Sequence, residues 1–587
     1  MNRVYEKDNI IATIFWRTLF VMIMAELAGS LSTMLDGIII ARNLNEYAIA
    51  AHGLVTPYLN IQTMIARFFA TGMQVGCAQR IARAKSEEAN QLFSTAAVIL
   101  AVIGVVGAII VATFSTPIAF FLGAGKDTVN ILPITSDYLK GLAIGLPVTM
   151  GTIFLIPIVA LDGDKKRISV AINVMLTVNL AGDLLNVFLF KGGMLGMALA
   201  TSVGYLFSFA ILLGHFRKNK YFRIQLKRVK LNLLPVLSQA GTPSAFQRMF
   251  AMFRAYLLNM IFVAYVSTSA LIAHSLVQNN IKAALICIAM AIGTTTLALT
   301  GVLYGEEDRR GLYQLFKSVV KISFGPCLLI AILVFIFAPN IVSIFGGGNY
   351  TADAIMALRL FVIGLPLIAL KMFYSYYFQG ATNKKLSYYS SFVGELAFLV
   401  ILAFVLVRCF GTIGLWIAYP LSEVAYIVFI LVMATVQYKH FPRTIEEFLF
   451  MKKDFDVGDE YKMDKTAYRK EDVQGLSQDA AVFCQKHQLS ARQCYITALT
   501  IEEMVNDIFE HGVKNKKEQF VDLKIVIKED KAIIRIRDNC KAFNPKDRAD
   551  MISDDIIKNI GIRMIIGMAK KMDYANILNM NYLTIEI

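Results

Sequence analysis

The tetrapeptide Ile144-Gly145-Leu146-Pro147 occurs a second time in this chain, as Ile363-Gly364-Leu365-Pro366. Other short signatures accompany both copies in the same order: Gln91-Leu92-Phe93 with Gln314-Leu315-Phe316, Gly163 and Lys165-Lys166 with Gly380 and Lys384-Lys385, and Gly193-Met194-Leu195-Gly196 with Gly411-Thr412-Ile413-Gly414. The members of each pair lie about 220 residues apart, which indicates that one ancestral block is present twice. Many membrane transporters consist of such repeated blocks, with the substrate site between the two halves.

The composition excludes an ordinary soluble protein. Of the 587 residues, 56% are hydrophobic and only 17% are charged, and the mean hydropathy is +0.57. From Ile10 to about Tyr438, apolar stretches alternate with short polar loops. About twelve of these stretches are long enough to cross roughly 30 Å of hydrocarbon. We therefore predict an all-α polytopic membrane protein over this part of the chain.

The net charge of +15 could indicate a nucleic-acid partner, but the positions of the basic residues argue against one. They gather in every second loop, which is the pattern that sets the orientation of a membrane protein. The loops concerned contain Arg80 to Lys85, Lys165 to Arg167, His215 to Lys230, Arg309 with Arg310, Lys384 with Lys385, and Lys439 to Arg443. We predict a multi-pass protein of the cell membrane with both termini in the cytosol and no nucleic-acid partner. The segment from Arg217 to Lys230 either contacts anionic lipid headgroups or only fixes the topology.

A change of composition after about Phe450 indicates a second, soluble domain. We assign residues 446–470 to a linker and residues 471–587 to a compact domain. Amphipathic helices are predicted at 479–487 and 491–511, and a β-hairpin at 520–528 and 532–538. A helix at 560–572 and strands at 574–579 and 582–587 complete a predicted α/β sandwich.

Ionisable residues inside predicted spans are the first candidates for function, because a charge in hydrocarbon is costly. Asp36 lies in the first predicted span. Asn179 and Asp183 share one face of the fifth at i,i+4 spacing, and Thr201 in the sixth can add a hydroxyl. These groups supply the oxygen ligands of a small cation, or a pair of carboxyl groups that share one proton. The alternative is that both carboxylates only bond neighbouring helices and hold the bundle together.

The same residues carry a resemblance to a known family. Met34-Leu35-Asp36-Gly37, the loop from Gly76 to Asn90, the run from Asn179 to Asn186 and the segment from Gly196 to Thr201 resemble multidrug and toxin extrusion (MATE) transporters over residues 10 to 440. The resemblance implies twelve helices in two six-helix lobes, here residues 1–226 and 227–445, and efflux driven by Na⁺ or H⁺. It also implies a cation site in the first lobe, formed by Asp36, Asn179, Asp183 and Thr201.

A lobe that binds cationic drugs is expected to have acidic side chains facing its cavity, and the second lobe departs from this pattern. Its predicted spans contain Arg248, Arg254, Lys282 and Lys371. Basic side chains that line a cavity attract anions, so we predict an anionic or zwitterionic small-molecule substrate bound near Arg248, Arg254 and Lys371. The alternative is that these side chains reach the membrane interface or neutralise Glu395 and Glu423.

The C-terminal domain contains an acid and an amide one helical turn apart, Glu502 and Asn506. An amide oxygen can bind a Mg²⁺ ion that bridges phosphates, while the carboxylate can deprotonate a nucleophile. Asp538 follows at the predicted end of a strand, where a carboxylate can accept a hydrogen bond from an exocyclic amine. Because acidic and amide residues often share a solvated helix face, the spacing alone is a weak signal.

Together with the Asn559 to Ile562 turn and the Asn579 to Thr584 strand, these residues resemble the ATP-binding domain of the GHKL superfamily, and most of all its anti-sigma-factor serine kinases. The resemblance covers residues 455 to 587. It implies that Glu502 is the catalytic base, Asn506 the Mg²⁺ ligand, Asp538 the adenine-binding residue and Gly561 part of a glycine-rich turn. Cys540 and Ala542 stand where strongly ATP-binding members have glycines, which leaves the backbone less free to approach phosphate.

Two functions therefore compete. The first is an ion-coupled exporter whose cytosolic domain binds a nucleotide or docks a protein partner. We expect this domain to move on its linker, so that nucleotide state biases the side to which the cavity opens. The second is a membrane-anchored serine/threonine kinase whose membrane half is a receptor. A receptor has no need of Asp36, Asn179 and Asp183 together, so the residues favour the exporter.

Overall fold

The computed structural model describes residues 10–44, 46–82, 85–124, 131–216, 222–223, 225, 229–266, 273–274, 277, 281–344, 351–451, 455–456, 458–512, 519–528, 530–541, 544–545, 560–577 and 580–587. The first half contains α1 (Ile10–Asn43), α2 (Glu46–Ala82), α3 (Ser86–Thr113), α4 (Ser115–Ala119), α5 (Ile131–Leu161), α6 (Lys165–Leu185) and α7 (Gly193–Phe216). The second contains α8 (Leu234–Tyr265), α9 (Lys282–Leu285), α10 (Cys287–Gly305), α11 (Arg309–Phe324), α12 (Pro326–Ile344), α13 (Thr351–Ile363), α14 (Leu365–Gly380), α15 (Lys384–Phe392), α16 (Phe398–Tyr438) and α17 (Ile445–Phe448).

The repeat seen in the sequence has a counterpart in the backbone. Gly193 and Gly411, which begin the equivalent Gly-x-x-Gly signatures, have positive φ angles of 57° and 59°. Glycine takes this conformation without the steric cost that a Cβ imposes. Gly193 begins α7, and Gly411 divides the long α16 at a kink. Each Gly-x-x-Gly signature therefore begins at a glycine with positive φ, from which α7 starts in the first half and the C-terminal part of α16 continues in the second.

Several helices have the length and composition of membrane spans. Within the described residues, seven helices pass this test, or up to eight if the bent pair Ala352–Ile363 and Leu365–Gly380 counts as one span. That pair is bent by 52° at the second copy of the repeated tetrapeptide, where Pro366 cannot donate a backbone hydrogen bond. In the first copy Pro147 lies inside the continuous α5. The helices α1, α2 and α8 are 34, 37 and 32 residues long.

The two halves meet where α2 crosses α8. Thr71 and Ser244, both buried, are joined by a hydrogen bond of 3.2 Å. A Cβ atom at Gly72 would lie 2.2 Å from the carbonyl oxygen of Leu237. Glycine at this position therefore allows the two backbones to approach one another closely.

The C-terminal domain contains a five-stranded antiparallel sheet in the order β1-β2-β3-β5-β4. Its elements are β1 (Lys462–Ala467), α18 (Asp472–Lys486), α19 (Ala491–His511), β2 (Val521–Lys528), β3 (Lys531–Asp538), α20 (Ile560–Met568), β4 (Lys571–Ile577) and β5 (Met580–Glu586). Buried residues of the three helices and of the sheet share one hydrophobic core. A capping box at Ser490, whose side chain accepts from the Gln493 amide at 3.3 Å, fixes the start of α19.

Most of these elements were predicted from the sequence, but several begin or end at other residues than predicted. Strand β1 falls inside the segment assigned to the linker, and its pairing with β2 extends the sheet toward the membrane half. The helix predicted at 479–487 begins at Asp472, and the helix predicted at 560–572 ends at Met568. It ends there because β4, from Lys571, pairs with β5. Strand pairing, which depends on distant residues, decided the position of β1 and the end of the helix at Met568.

Candidate functional sites

A polar cluster joins α1 to α6 in the first half. The side-chain amide of Asn179 donates to Asp36 Oδ1 at 2.7 Å and to Asp183 Oδ2 at 3.1 Å. Asn179 and Asp183 are buried, and Asp36 is half-buried. One amide group therefore holds together two carboxylates from separate helices.

Two acceptor atoms of this cluster lack a hydrogen bond. Asn179 Oδ1 and Asp183 Oδ1 are both buried, and neither has a hydrogen-bond partner. Buried polar atoms are normally satisfied, so such atoms call for an explanation. Carboxylate and amide oxygens are ligands for a small hard cation, and a carboxylate can also take up a proton. The residues present therefore fit the predicted cation site.

Thr201 was predicted for this cation site, whereas His52 and Tyr138 were not. The Thr201 hydroxyl donates to the Met197 carbonyl at 3.2 Å, within its own helix. His52 lies close enough to Asp36 to interact with it electrostatically, and its Nδ1 is 3.2 Å from the Tyr138 hydroxyl. The rule that singled out Asp36, an ionisable residue in a predicted span, applies to His52 as well.

Two of the predicted substrate-binding cations form ion pairs inside the second half. Arg254 Nη1 lies 2.6 Å from Glu395 Oε2, and Lys371 Nζ lies 2.5 Å from Glu423 Oε1. Both carboxylates are buried, and Glu395 lies in a π-helical turn, Val393–Ala397. Arg254 and Lys371 therefore neutralise Glu395 and Glu423, which is the alternative that the sequence left open for these two cations.

Arg248 has a different environment, at the boundary between the halves. Its strongest electrostatic neighbour is Arg67 of α2, which repels it, while Tyr376 of α14 and the carboxylates of Glu26 and Glu395 act on it with the opposite sign. Arg67 lies one turn before Thr71 and Arg248 one turn after Ser244, so both lie on the same side of the α2–α8 crossing. Arg67 Nε is buried without a hydrogen-bond partner. Two like charges from opposite halves are therefore held close together.

In the C-terminal domain, Asp538 is buried at the end of β3. Its Oδ1 accepts from Asn581 Nδ2 at 2.7 Å and from the Cys540 backbone amide at 2.9 Å. Asn581, on the neighbouring strand β5, did not emerge from the sequence because the pairing of β3 with β5 brings it there.

Helix α19 carries Glu502, which is exposed, and Asn506, which is half-buried. The C-terminal half of this helix contacts the segments expected to surround a nucleotide. A Cβ at Gly561, the second residue of α20, would lie 1.9 Å from Glu503 Oε2. Directly after the helix, the Gly512 carbonyl accepts from the Lys541 amide at 2.8 Å. Ala542 and Asn559 lie outside the described residues.

The exposed side of α19 is acidic. Burial, followed by the nearby carboxylates of Glu502, Asp507 and Glu510, raises the pKa of Glu503. Such a surface repels a free triphosphate and attracts a divalent cation. Within the described part of the chain, no three His, Cys, Asp or Glu side chains are grouped to hold a metal alone. The Asn506 amide and the neighbouring carboxylates are of the ligand type that suits the Mg²⁺ ion of the nucleotide predicted from the sequence.

The C-terminal domain contacts the second half through buried charges. We call the end of the bundle that carries the start of α3 and the turns at 162–164, 305–309 and 381–384 the basic-loop end. There Arg537 of β3 lies 3.2 Å from Glu306 and 3.0 Å from Asp308, and 2.8 Å from Asp522 of its own domain. Lys524 lies 3.6 Å from Asp308. Burial would raise the pKa of the Asp308 carboxyl, but Lys524 and Arg537 outweigh it and hold that pKa well below its ordinary value.

The same domain contacts the first half through β4. The backbone amide of Ser86 donates to Asp573 Oδ2 at 3.2 Å, and its hydroxyl donates to Oδ1 at 2.5 Å. Ser86 begins α3, whose N-cap residue Lys85 makes no side-chain cap. Asp573 of the C-terminal domain therefore caps α3, a helix of the membrane domain. Ala575 and Tyr582 belong to a hydrophobic cluster that contains buried residues of both halves of the membrane domain.

Comparison with known proteins agrees with this architecture. Residues 22–185 and 243–405 match the MatE family model, once in each half of the repeat. The chain therefore belongs to the MATE family and is a multi-pass membrane protein. Residues 466–585 match the model of the histidine kinase-like ATPase domain, so the chain combines a MATE transporter fold with such a domain. Both resemblances inferred from the sequence are confirmed.

Solved structures share the fold of the membrane domain, which comprises both halves of the repeat. A multidrug resistance MATE transporter of the MOP superfamily, in an outward-facing conformation, is 21% identical, with a TM-score of 0.66 over 71% of this chain and 93% of that one. A MOP superfamily transporter from Pyrococcus furiosus, described by a reverse polarity of its binding pocket that suggests a different function, is 21% identical, with a TM-score of 0.66 over 73% and 97%. The Vibrio cholerae MATE transporter VcmN in its bent form is 17% identical, with a TM-score of 0.66 over 72% and 96%. Among curated proteins, none matches the chain by sequence.

Proposed function

We propose that this protein is a secondary active exporter that couples entry of Na⁺ or H⁺ to efflux of a small organic solute by alternating access. The observation that carries the proposal is the Asn179 amide between Asp36 and Asp183, with Asn179 Oδ1 and Asp183 Oδ1 left without hydrogen bonds. A purely structural cluster would satisfy these oxygens, because unsatisfied buried acceptors are destabilising. A cation or proton that enters and leaves gives them a function.

The proposed topology has twelve spans in two lobes of six, which include α1, α2 and α8. At about 1.5 Å per residue each of these helices exceeds the hydrocarbon thickness. The basic-loop end faces the cytosol, since Lys and Arg accumulate in cytosolic loops. Both termini and the C-terminal domain are then cytosolic.

The proposed substrate is anionic or zwitterionic. Glu395 and Glu423 balance Arg254 and Lys371, whereas for Arg248 the repulsion from Arg67 across the halves is larger than the attraction of Glu26 or of Glu395. A carboxylate or phosphate placed between two arginines relieves their repulsion and forms bidentate hydrogen bonds. The reverse polarity described for the Pyrococcus furiosus transporter, which has a similar fold, is consistent with such a site.

For the C-terminal domain we propose regulation through a bound Mg²⁺ nucleotide. Asn506 would hold the metal, Asp538 would accept from the exocyclic amine of adenine, and Gly561 would lie beside the phosphates. When bound, ATP supplies a transferable γ-phosphoryl group. The second candidate is an anti-sigma-like serine kinase with a receptor in the membrane, and the exposure of Glu502 favours it because that carboxylate can reach a protein substrate.

Transport by purified protein in sealed liposomes under an imposed Na⁺ or H⁺ gradient tests the proposal. Asp183→Asn is expected to reduce solute flux at least tenfold while ATP binding is retained. Asp137→Asn, an exposed acid that pairs with Lys140, is the control and is expected to transport normally. Equal flux in wild type and Asp183→Asn, or no flux under either gradient, would favour the receptor kinase.

A further inference from the structure

The C-terminal domain bridges the two halves of the membrane domain. Arg537 in β3 contacts the turn between α10 and α11 of the second half, and Asp573 in β4 contacts the start of α3 in the first. Only β5 separates these two strands in the sheet. Because neighbouring strands lie about 4.8 Å apart, β3 and β4 are about 10 Å apart, and the register, in which Arg537 is level with Ala575, fixes the position of Asp573 relative to Arg537.

The two contacts differ in strength. At the second half, Arg537, Lys524, Glu306 and Asp308 are buried and form a network of opposite charges. At the first half, Asp573 makes two hydrogen bonds to the half-buried Ser86, and Ala575 of the same strand packs into the hydrophobic cluster of the membrane helices, but no ion pair like that of Arg537 is formed within the described residues. A domain held in this way separates first from Ser86 and stays attached through Arg537.

Hydrogen bonds connect the weaker contact to the candidate nucleotide site. Asn581 donates to Asp538, the residue expected to bind adenine. The side-chain oxygen of Asn581 in turn accepts from the Tyr574 hydroxyl at 2.6 Å and from Asn576 Nδ2 at 2.7 Å. Both donors lie in β4, where Tyr574 directly follows Asp573 and Asn576 directly follows Ala575.

We propose that the C-terminal domain is a latch that keeps the cavity closed on the cytosolic side, and that nucleotide binding releases it. The proposal rests on the exporter function and its orientation. Alternating access requires the cytosolic ends of the two halves to separate, and a sheet fixed to both ends opposes that movement. A nucleotide amine that bonds Asp538 competes with Asn581, disturbs the bonds of Asn581 to β4 and so weakens the Asp573 contact with Ser86.

The test measures the separation of the two halves in the full-length protein. Spin labels are placed at Lys166→Cys and Lys385→Cys, exposed and equivalent positions in the repeat, with the exposed Cys409 changed to Ser. Without nucleotide we expect one short distance. Mg²⁺-ATP is expected to add a second population at least 5 Å longer, and Asp573→Asn to produce that population without nucleotide.

Two controls define the result. Asp538→Asn is expected to keep the short distance in Mg²⁺-ATP, and Asp479→Asn, an exposed acid of α18 paired with Lys465, is expected to behave as wild type. An unchanged distance in Asp573→Asn would overturn the latch, and an Asp573→Asn effect without any Mg²⁺-ATP effect would overturn release by nucleotide. The measurement needs no transport, so loss of the exporter function in the liposome assay is distinguishable from loss of the latch.

Discussion

Arg537 and Asp308, which are 229 residues apart in the sequence, lie 3.0 Å apart in the structure. One belongs to the ATPase-like sheet and the other to a turn between two helices of the transporter. Both side chains are buried, and Glu306 and Asp522 share the same guanidinium group. This contact attaches the C-terminal domain to the basic-loop end of the transporter fold.

Removal of Arg537 is expected to weaken both the domain and its docking. Arg537→Ala leaves Glu306, Asp308 and Asp522 buried without their main cation, which typically costs about 3–5 kcal/mol. Hydrogen exchange of β3 amides in the full chain is expected to accelerate accordingly. Lys486→Ala, at an exposed position of α18, is the control and is expected to change stability by less than about 0.5 kcal/mol. Unchanged β3 protection in Arg537→Ala would contradict the role of this ion network.

The docked contact is expected to respond to pH in a defined direction. The pKa of Asp308 is lowered from its ordinary 3.8 by Lys524 and Arg537 despite burial, so docking favours the ionised form and weakens as pH falls below about 4. Burial raises the pKa of Glu306, although Arg537 and Arg535 act to lower it. Docking therefore favours the protonated form of Glu306, and protonation of this residue does not oppose docking. The domain is therefore expected to stay docked between pH 7 and 5. Interspin distances recorded across this range check the prediction, and release above pH 5 would refute it.

The bridging amide in the first half is expected to be essential for transport. Asn179→Ala removes the donor shared by Asp36 and Asp183, so their mutual repulsion is no longer offset and ion binding changes. We expect at least a tenfold loss of solute flux in liposomes with normal expression and folding. Asn173→Ala, an exposed asparagine on the same helix, is the matched control. Flux equal to that of the control would exclude Asn179 from the ion site.

The arginine pair is expected to determine affinity for the substrate anion. Arg67→Ala and Arg248→Ala each remove charged hydrogen bonds worth about 1.5–3 kcal/mol, which corresponds to a rise in KM of roughly 10- to 100-fold. The double variant is expected to lose less than the sum, because both side chains act on one group. Lys317→Ala, at an exposed position of α11, serves as the control. A KM unaffected by either arginine would place the anion elsewhere.

Nucleotide binding is expected to require Mg²⁺. Chelation with EDTA leaves the triphosphate facing Glu502, Glu503, Asp507 and Glu510, and binding of a fluorescent ATP analogue to the full chain is expected to fall at least tenfold. Glu503→Gln is expected to reduce this dependence, whereas Glu471→Gln, an exposed acid before α18, is not. Equal binding with and without Mg²⁺ would remove Asn506 as a metal ligand.

The sequence by itself determined what depends on local order. The apolar stretches and the repeated tetrapeptide indicated a doubled membrane protein, and the i,i+4 spacing put Asn179 with Asp183 and Glu502 with Asn506. The β-hairpin was predicted almost to the residue, because alternation and a turn specify it locally. These features depend on neighbours in the chain, and the helix or strand repeat converts their spacing directly into a shared face.

Only the tertiary structure decided which distant groups meet. It placed Asp36 against Asn179, 143 residues away. It also paired Arg254 with Glu395 and Lys371 with Glu423, rather than leaving these two predicted cations to a substrate. Strand pairing put Asn581 beside Asp538, and domain docking put Arg537 beside Asp308. The physical reason is that a buried charge or amide is stable only beside a complementary group, and that group is chosen by packing between helices and strands rather than by position in the sequence.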